Sequence, residues 1–397
     1  MLDLSVLAQR RDGPLGIAVS GGGDSVALLL LLREWAQSTD LTIATVDHGL
    51  RTESADEAAW VAALCKKLNL PHCTVKWARP AEISGNLAEQ ARDARRQLLA
   101  DWIVTEGGNT VCLGHTQDDV AETFLMRLSR GSGLDGLSAM RAVSQRDGVT
   151  WLRPMLQAGR QDLREYLRSM GQTWVDDPTN EDDNYARART RKALRVLQDL
   201  DIDPAKIAQT AQRLESSRDV LSAETAQLAR RCIHQTHYGE LILSRLAFEQ
   251  AAHVLQERLL RVVIAYFGGV AHTPRQQAVR RLHDCVMSGG ATTLAGVQMR
   301  GDGGKCHFFR EPAAVSPAIT PQPAAIIWDH RWIISPLRAD WHVAALGAAG
   351  LSQCDTRPKG LRAVVAETLP AVWNGGSLVA TPVLKPRDDI TFRQKRL

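Results

Sequence analysis

GIAVSGGGDSVALLLLL, residues 16–32, decides the fold. A β-like apolar run over 15–19 breaks into three glycines, an acid and two serines, then resumes as an apolar helical pattern. A strand, a glycine loop and a helix in succession gather backbone N–H groups around an anion. Glycine permits positive φ and close approach of main chain to oxygen, and the helix N-terminus adds donors and a dipole. The plainer alternative is a tight β–α turn capped by serine or aspartate. The loop lacks the lysine of GxxxxGK(S/T) and the spacing of GxGxxG. Without that lysine it is poorly suited to gripping a γ-phosphate for transfer. With Asp24 at its exit it suits a phosphate chain that carries a metal ion.

Working outward, β-rich runs at 15–19, 41–46, 73–77 and 110–113 alternate with helical patterns at 24–36, 55–68 and 87–106. That alternation predicts an α/β fold built of βαβ units, with a parallel sheet covered on both faces and ligands at the carboxyl ends of the strands. The pattern breaks into turn-rich sequence around 177–184. A long, Arg-containing helical stretch follows to about residue 234, then a small α/β unit over 245–313. A Pro-rich run at 312–323 reads as a linker. Beyond it, 326–328 and 332–334 are β-like, and the tail 385–397, with five basic side chains, reads as mobile. The expected domains are 1–190, 191–313 and 324–397.

Of the 397 residues, 44% are hydrophobic and 23% charged, enough for a sizeable core, and the formal net charge is only +4. No charged start with an apolar run and small-residue cleavage site is visible, and Val26 to Leu32 is too short an apolar run to span a bilayer. No membrane association and a cytoplasmic location are expected. The seven cysteines, at 65, 73, 112, 232, 285, 306 and 354, form no CxxC. Cys232 with His234 and His237, and Cys306 with His307, come nearest to metal spacing. They read as buried thiols and surface histidines, because a zinc site needs four well-spaced ligands.

Three further motifs carry chemistry. Val46-Asp47-His48-Gly49-Leu50-Arg51 closes the second strand. Gly114-His115-Thr116-Gln117-Asp118-Asp119-Val120-Ala121-Glu122-Thr123 follows the fourth. Read as a helix, the latter puts His115, Asp118, Asp119 and Glu122 on one face, and Val120, Phe124, Leu125 and Leu128 mostly on another, toward the sheet. Three carboxylates on one face repel unless a cation or basic substrate neutralises them. The third motif is Arg130-Gly131-Ser132-Gly133-Leu134-Asp135-Gly136-Leu137, leading to Leu152-Arg153-Pro154-Met155-Leu156. An amphipathic helix from Asn86-Leu87-Ala88-Glu89 presents Arg92 and Arg95.

Ser20-Gly21-Gly22-Gly23-Asp24-Ser25 resembles the SGGxDS pyrophosphate loop of the N-type ATP pyrophosphatases. VDHGLR, GHTQDDVAET, RGSGLDGL and LRPML, in that order, are similar to the tRNA(Ile)-lysidine synthetase family. The segment 86–95 resembles that family's Arg-bearing helix, and TLAGV (293–297) and WDHRW (328–332) resemble parts of its appended domains. Two departures stand out: Arg96 replaces the usual aromatic, and Ala188 the usual asparagine. The resemblance implies a PP-loop ATP pyrophosphatase domain, then a helical linker region and smaller α/β C-terminal domains. The implied reaction is ATP-dependent ligation of free L-lysine to C2 of the wobble cytidine of the CAU-anticodon isoleucine tRNA. It passes through an adenylated cytidine and releases pyrophosphate and AMP. Carried over residue by residue, Ser20, Gly21, Gly22, Gly23, Asp24, Ser25 and His48 would bind ATP. Asp24 and Asp119 would lie near Mg²⁺ and, with Arg92, serve catalysis. Asp118, Asp119, Glu122 and Arg95 would face lysine or metal. Arg187, Arg189, Arg191 and Lys192 would contact tRNA phosphates, and a homodimer is compatible with the sequence. Three rivals are weighed, the first a glutamine-dependent synthetase, which would normally carry or recruit a glutaminase, whereas no Cys follows Met1. A tRNA thiolase would need reactive or cluster-bound cysteines, yet no CxxC is present and Cys112 is placed inside a strand. Against a non-catalytic nucleotide- or RNA-binding protein stand the intact loop and the intact acidic helix, because a decayed site would be expected to lose its acids first.

Overall fold

The computed structural model describes residues 1–10, 13–36, 40–49, 53–78, 87–138, 140–146, 148–176, 186–268, 274–320 and 325–397. They form two compact units, Met1–Arg218 and Asp219–Leu397.

The first unit runs α1 (Leu4–Leu7), β1 (Leu15–Ala18), α2 (Gly23–Ala36), β2 (Leu41–Asp47), α3 (Ser54–Lys67), β3 (His72–Lys76), α4 (Leu87–Thr105), β4 (Thr110–Leu113), α5 (Gln117–Leu128), α6 (Leu134–Leu137), β5 (Val143–Arg146), β6 (Val149–Leu152), α7 (Arg160–Ser169), α8 (Ala186–Gln198) and α9 (Pro204–Cys232). Residues of α9 beyond Arg218 belong to the second unit. The strand order is β3-β2-β1-β4-β6-β5, parallel except for the β5–β6 hairpin. The expected parallel α/β sheet is therefore present, extended by an antiparallel edge.

The two-residue period of β1 sorts its side chains by size. Leu15, Ile17 and Val19 enter the larger core with α2 and with Leu163 and Leu167 of α7. Gly16 and Ala18 face α4, which comes so close that a Cβ on Gly16 would sit 2.9 Å from the Trp102 ring. The run Val26–Leu30 with Leu32 is buried nearly all round, which explains its lack of a polar stripe. Each fully buried leucine there contributes about 2 kcal/mol. The chain moves from β1 outward to β2 and β3, then crosses to β4 on the other side of β1. The order reverses between β1 and β4, and a ligand crevice is expected at their carboxyl ends.

The second unit runs β7 (Ile233–Gln235), β8 (Leu241–Ser244), α10 (Arg245–Glu249), α11 (His253–Gly268), α12 (Gln276–Ser288), β9 (Ala291–Leu294), β10 (Val297–Asp302), β11 (Lys305–Arg310), β12 (Ile326–Trp328), β13 (Trp332–Ser335), β14 (His342–Ala345), α13 (Gly347–Leu351), α14 (Ala363–Ala366), β15 (Pro370–Asn374), β16 (Ser377–Ala380) and β17 (Thr391–Gln394). An antiparallel sheet β7-β8-β11-β10-β9 is followed by two three-stranded sheets, β12-β13-β17 and β14-β15-β16. The latter enclose Trp328, Trp332, Trp341 and Trp373. The described part of the Pro-rich run is tied down, since Arg310 donates to the Ala314 carbonyl and Ile319 pairs with Val343. The tail departs from expectation too. Ile390 is buried and β17 pairs with β13, because Thr391 and Phe392 find backbone partners in Ser335 and Ile334 that the basic composition does not advertise.

Candidate active site

The glycine loop between β1 and α2 holds its shape through its own bonds. Gly21 has φ +89°, its carbonyl accepts from the Val175 N–H at 2.9 Å, and a Cβ there would lie 3.3 Å from Val175. The Ser25 hydroxyl donates to the Gly22 carbonyl at 2.8 Å and accepts from the Ser20 N–H at 3.2 Å. Helix α2 opens at Gly23, so the first-turn N–H groups of Gly23 and Asp24 point out of the helix end, while that of Ser25 donates back to the Gly22 carbonyl at 3.0 Å.

At the end of β2, Asp47 accepts from the Gly49 N–H at 3.0 Å and from the Ser54 hydroxyl, which hold its carboxyl below the usual range. It shapes the loop that carries His48. Burial, and then the charge of Arg95, push the His48 imidazole down, and its Nδ1 is buried without a hydrogen bond among the described residues. Leu50, Arg51, Asn86 and the turn at 177–184 lie outside the described residues.

After β4 the chain passes directly beneath the glycine loop: a Cβ on Gly114 would stand 3.0 Å from the Ser25 Cα and 3.1 Å from the Asp24 carbonyl oxygen. Helix α5 then starts at Gln117 with Thr116 as its N-cap. Asp119 Oδ2 accepts from the Thr116 N–H at 2.9 Å and the Thr116 hydroxyl accepts from the Asp119 N–H at 3.4 Å, a reciprocal capping box. The cap corrects one expectation: His115 precedes the helix instead of sharing its acidic face. Burial pushes its imidazole down to about 4, against the pull of Asp119, so it is neutral near pH 7. A second correction concerns the apolar side of α5. Ala121, Phe124 and Leu125 pack with Leu194 of α8 and Ile207 of α9, and Leu128 is exposed. Two helices, not the sheet, receive that face.

The acids converge on a residue that the sequence reading missed. Arg160, the first residue of α7, donates from Nε to Asp24 Oδ2 at 3.0 Å, from Nη1 to Glu122 Oε1 at 3.1 Å and from Nη2 to Asp119 Oδ1 at 3.4 Å. Its backbone N–H donates to Asp118 Oδ2 at 2.7 Å. Asp118, Asp119 and Glu122 are thus brought together with Asp24 of the loop. Asp118 closes the start of α7, Asp119 divides its oxygens between cap and site, and Glu122 is fully buried with Oε2 making no hydrogen bond among the described residues. Burial raises the carboxyl of Asp24 despite Arg160. Burial also works to raise that of Asp119, but Arg160, His115 and Arg187 together hold it below the usual range.

Two arginines of α8 face the same acids. Arg191 Nε lies 2.7 Å from Glu122 Oε1, while Arg187 stands 3.8 Å from Glu122 and 3.9 Å from Asp119. Arg189 and Lys192 sit on the exposed side of the helix. On α4, Arg92 is exposed, whereas Arg95 is partly buried and its charge acts on both His48 and His115. Arg153 of the LRPML segment holds the β5 hairpin, donating to the Arg141 carbonyl at 2.9 Å and the Ser144 hydroxyl at 3.1 Å.

Among the described residues, no three His, Cys, Asp or Glu side chains form a metal-holding group. Mg²⁺ does not require one: it prefers hard oxygens and binds through one or two carboxylates with phosphate and water completing its shell. Asp24 and Asp119, both facing the Arg160 guanidinium, fit that description. Cys112 is fully buried in β4 and its thiol is pushed up to about 12, so it is not a nucleophile. No described helix is long and apolar enough to cross a membrane.

The sequence profile of a PP-loop domain matches residues 4–198. The tRNA(Ile)-lysidine synthase of Ruegeria pomeroyi is 41% identical over 93% of this chain and 88% of its own length. The protein of the same name from a Wolbachia species associated with Brugia malayi is 30% identical over 92% of this chain and 88% of its own. Among solved structures, the U34-tRNA thiolase NcsA from Methanococcus maripaludis is similar at 17% identity with a TM-score of 0.46, over 52% of this chain and 73% of that one. A glycine loop and an acidic helix meeting at the reversal of a parallel sheet, with relatives matching nearly end to end, place the protein: the chain belongs to the tRNA(Ile)-lysidine synthase family.

Proposed function

We propose that the chain ligates free L-lysine to C2 of the wobble cytidine of the CAU-anticodon isoleucine tRNA, at the expense of ATP. The observation that carries this reading is the convergence of Asp24 with Asp119 and Glu122 beside a preshaped anion loop. The loop Ser20, Gly21, Gly22, Gly23, Asp24 and Ser25, with α2, would cradle the pyrophosphate portion of ATP. Asp24 and Asp119 would hold Mg²⁺, which when bound offsets charge on the phosphates. His48 would lie at the nucleotide edge.

In the first step, O2 of the cytidine attacks the α-phosphorus, and the bond to pyrophosphate breaks. Arg92 and Arg95 would stabilise the developing charge, since a guanidinium fork suits phosphate. In the second, an amine of lysine attacks C2 and AMP leaves with the former carbonyl oxygen. The amine must shed a proton, and the carboxylates Asp119 and Glu122 would hold its ammonium form and accept that proton. Asp118 is the least available of the three acids, since its carboxylate is engaged by the Arg160 N–H. The target base has to be drawn out of the anticodon loop, where single-stranded RNA is read. Arg189 and Lys192 would meet phosphates from their exposed positions; Arg187 and Arg191 would have to leave Glu122 to join them. Residues 191–313 and 324–397 would grip the tRNA body. A cytoplasmic location and a homodimer belong to the same proposal.

The test is release of pyrophosphate from ATP by the purified chain with the isoleucine tRNA and no lysine. Release that depends on a wobble cytidine is expected; release indifferent to a C-to-U change at that base would overturn the adenylation step.

A further inference from the structure

Three carboxylates, Asp24, Asp119 and Glu122, meet on one guanidinium that the chain itself supplies, and a fourth, Asp118, holds the backbone N–H of the same residue. Arg160 reaches Asp24, Glu122 and Asp119 with three different nitrogens at 3.0, 3.1 and 3.4 Å. Helix stability does not explain an arginine there. Arg160 is the first residue of α7, and a cation at a helix N-terminus opposes the helix dipole. The preceding Gly159 keeps this helix start uncrowded, since a Cβ there would press on Asp162 Oδ2 at 3.0 Å. The Arg160 backbone N–H is itself fixed to Asp118 at 2.7 Å, so the guanidinium is aimed from a rigid base. Arg191 and Arg187 reach Glu122 and Asp119 from α8, but Asp24 is paired with Arg160.

We propose that Arg160 is a positioning residue that keeps the place of the ligand cation: it clamps the loop carboxylate Asp24 to Asp119 and Glu122 in the substrate-free chain and yields part of that clamp when a cation enters. The inference rests on the reading of these acids as the reaction site and deepens it. With Arg160 in place the carboxylates stay close together without repelling one another, and the site is ordered before substrate arrives. An incoming metal ion or ammonium competes with a tethered guanidinium, so binding is weaker than the three acids alone would give, while the carboxylates are already oriented. That trades affinity for turnover.

The test is calorimetric titration of Mg²⁺ alone into the full chain, without ATP or tRNA, for the wild type, Arg160→Gln and Arg160→Lys, with thermal melts as a folding control. Removing one positive charge in direct contact with the acids is expected to tighten Mg²⁺ binding about tenfold or more in Arg160→Gln. Arg160→Lys keeps the charge and is expected to stay within about twofold of the wild type. In steady-state lysine incorporation, Arg160→Gln is expected to lower kcat about tenfold or more while KM for lysine holds or falls, because orientation is lost but competition is relieved. A folded Arg160→Gln chain that binds Mg²⁺ no better than the wild type would overturn the proposal. So would parallel losses in kcat and in lysine affinity. Should Arg160→Gln not fold, Arg160→Lys decides: its single-point ammonium cannot span three carboxylates, and full kcat would refute the clamp. The Mg²⁺ titration needs no turnover, so a wild type that binds the metal but releases no pyrophosphate would count against the functional reading and not against the clamp.

Discussion

Asp119 gives its two oxygens different work. Oδ2 closes the cap of α5 on Thr116, and Oδ1 faces Asp24 and Glu122 across the Arg160 guanidinium. Asp119→Asn keeps the size and part of the cap but removes the charge, and is expected to cost about a hundredfold in lysine incorporation, the scale seen when one preorganised electrostatic contact is lost. Thr116→Val removes the cap alone; about 1 kcal/mol of stability is expected to go with a smaller loss of rate. Urea midpoints and single-turnover rates separate the two, and equal rate losses would put the role of Asp119 in the cap. Cys112→Ala offers the opposite control. The thiol is buried and pushed up to about 12, so this change is expected to leave the rate within about twofold, whereas a rate falling with the thiol would favour a sulfur-transfer reaction. The sequence exposed Asp24, Asp118, Asp119 and Glu122 because they lie in two short motifs. It also carried the demand that some cation must answer them. It did not expose which cation, because Arg160 is one of 48 basic residues and lies 136 positions from Asp24. Only the fold brings that pair together. The helix of Arg187 and Arg191 was legible, but not the face it turns to Glu122.

At the scale of elements, the site is a contact between two turns. The β1–α2 loop and the β4–α5 connection touch through backbone at Gly114, with no side chain between them. Gly114→Ala adds one methyl group where a Cβ would lie 3.0 Å from the Ser25 Cα, tighter than backbone can easily yield. The expected result is a loop pushed off its position, with the apparent KM for ATP raised about tenfold and a stability loss of about 1–3 kcal/mol. An unchanged KM in a folded protein would show that the two turns need not touch. The strands β1, β2, β3 and β4 were readable from alternation with helices, and their carboxyl ends from the motifs that follow them. The β5–β6 hairpin was not, because Val143–Arg146 mixes polar and apolar residues and pairs only along one edge. The start of α5 was misplaced by two residues because helical spacing alone cannot see that Thr116 caps the helix and leaves His115 outside.

For the whole molecule, the formal net charge of +4 is too small to bind RNA by itself, so tRNA affinity must come from local clusters. Arg189 and Lys192, exposed on α8, are the cluster proposed for that contact. Arg189→Glu with Lys192→Glu is expected to weaken tRNA binding about tenfold or more and to flatten the dependence of log K on log salt by about 1–2, read by filter binding over a salt series. Pyrophosphate release at saturating tRNA should persist; an unchanged salt slope would remove these residues from the tRNA contact. The second unit was only partly legible. Its short strands 326–328 and 332–334 could be seen, but the pairing of the basic tail with β13 joins residues about sixty positions apart and leaves no local trace. One measurement tests the central claim most directly: incorporation of labelled lysine into CAU-anticodon isoleucine tRNA by the purified chain, with ATP, beside a tRNA whose wobble cytidine is replaced by uridine. Incorporation that requires both ATP and the cytidine, and that falls about a hundredfold in Asp119→Asn, is the expected outcome. Pyrophosphate release with no lysine on the tRNA would contradict it and hand the activated cytidine to a different nucleophile.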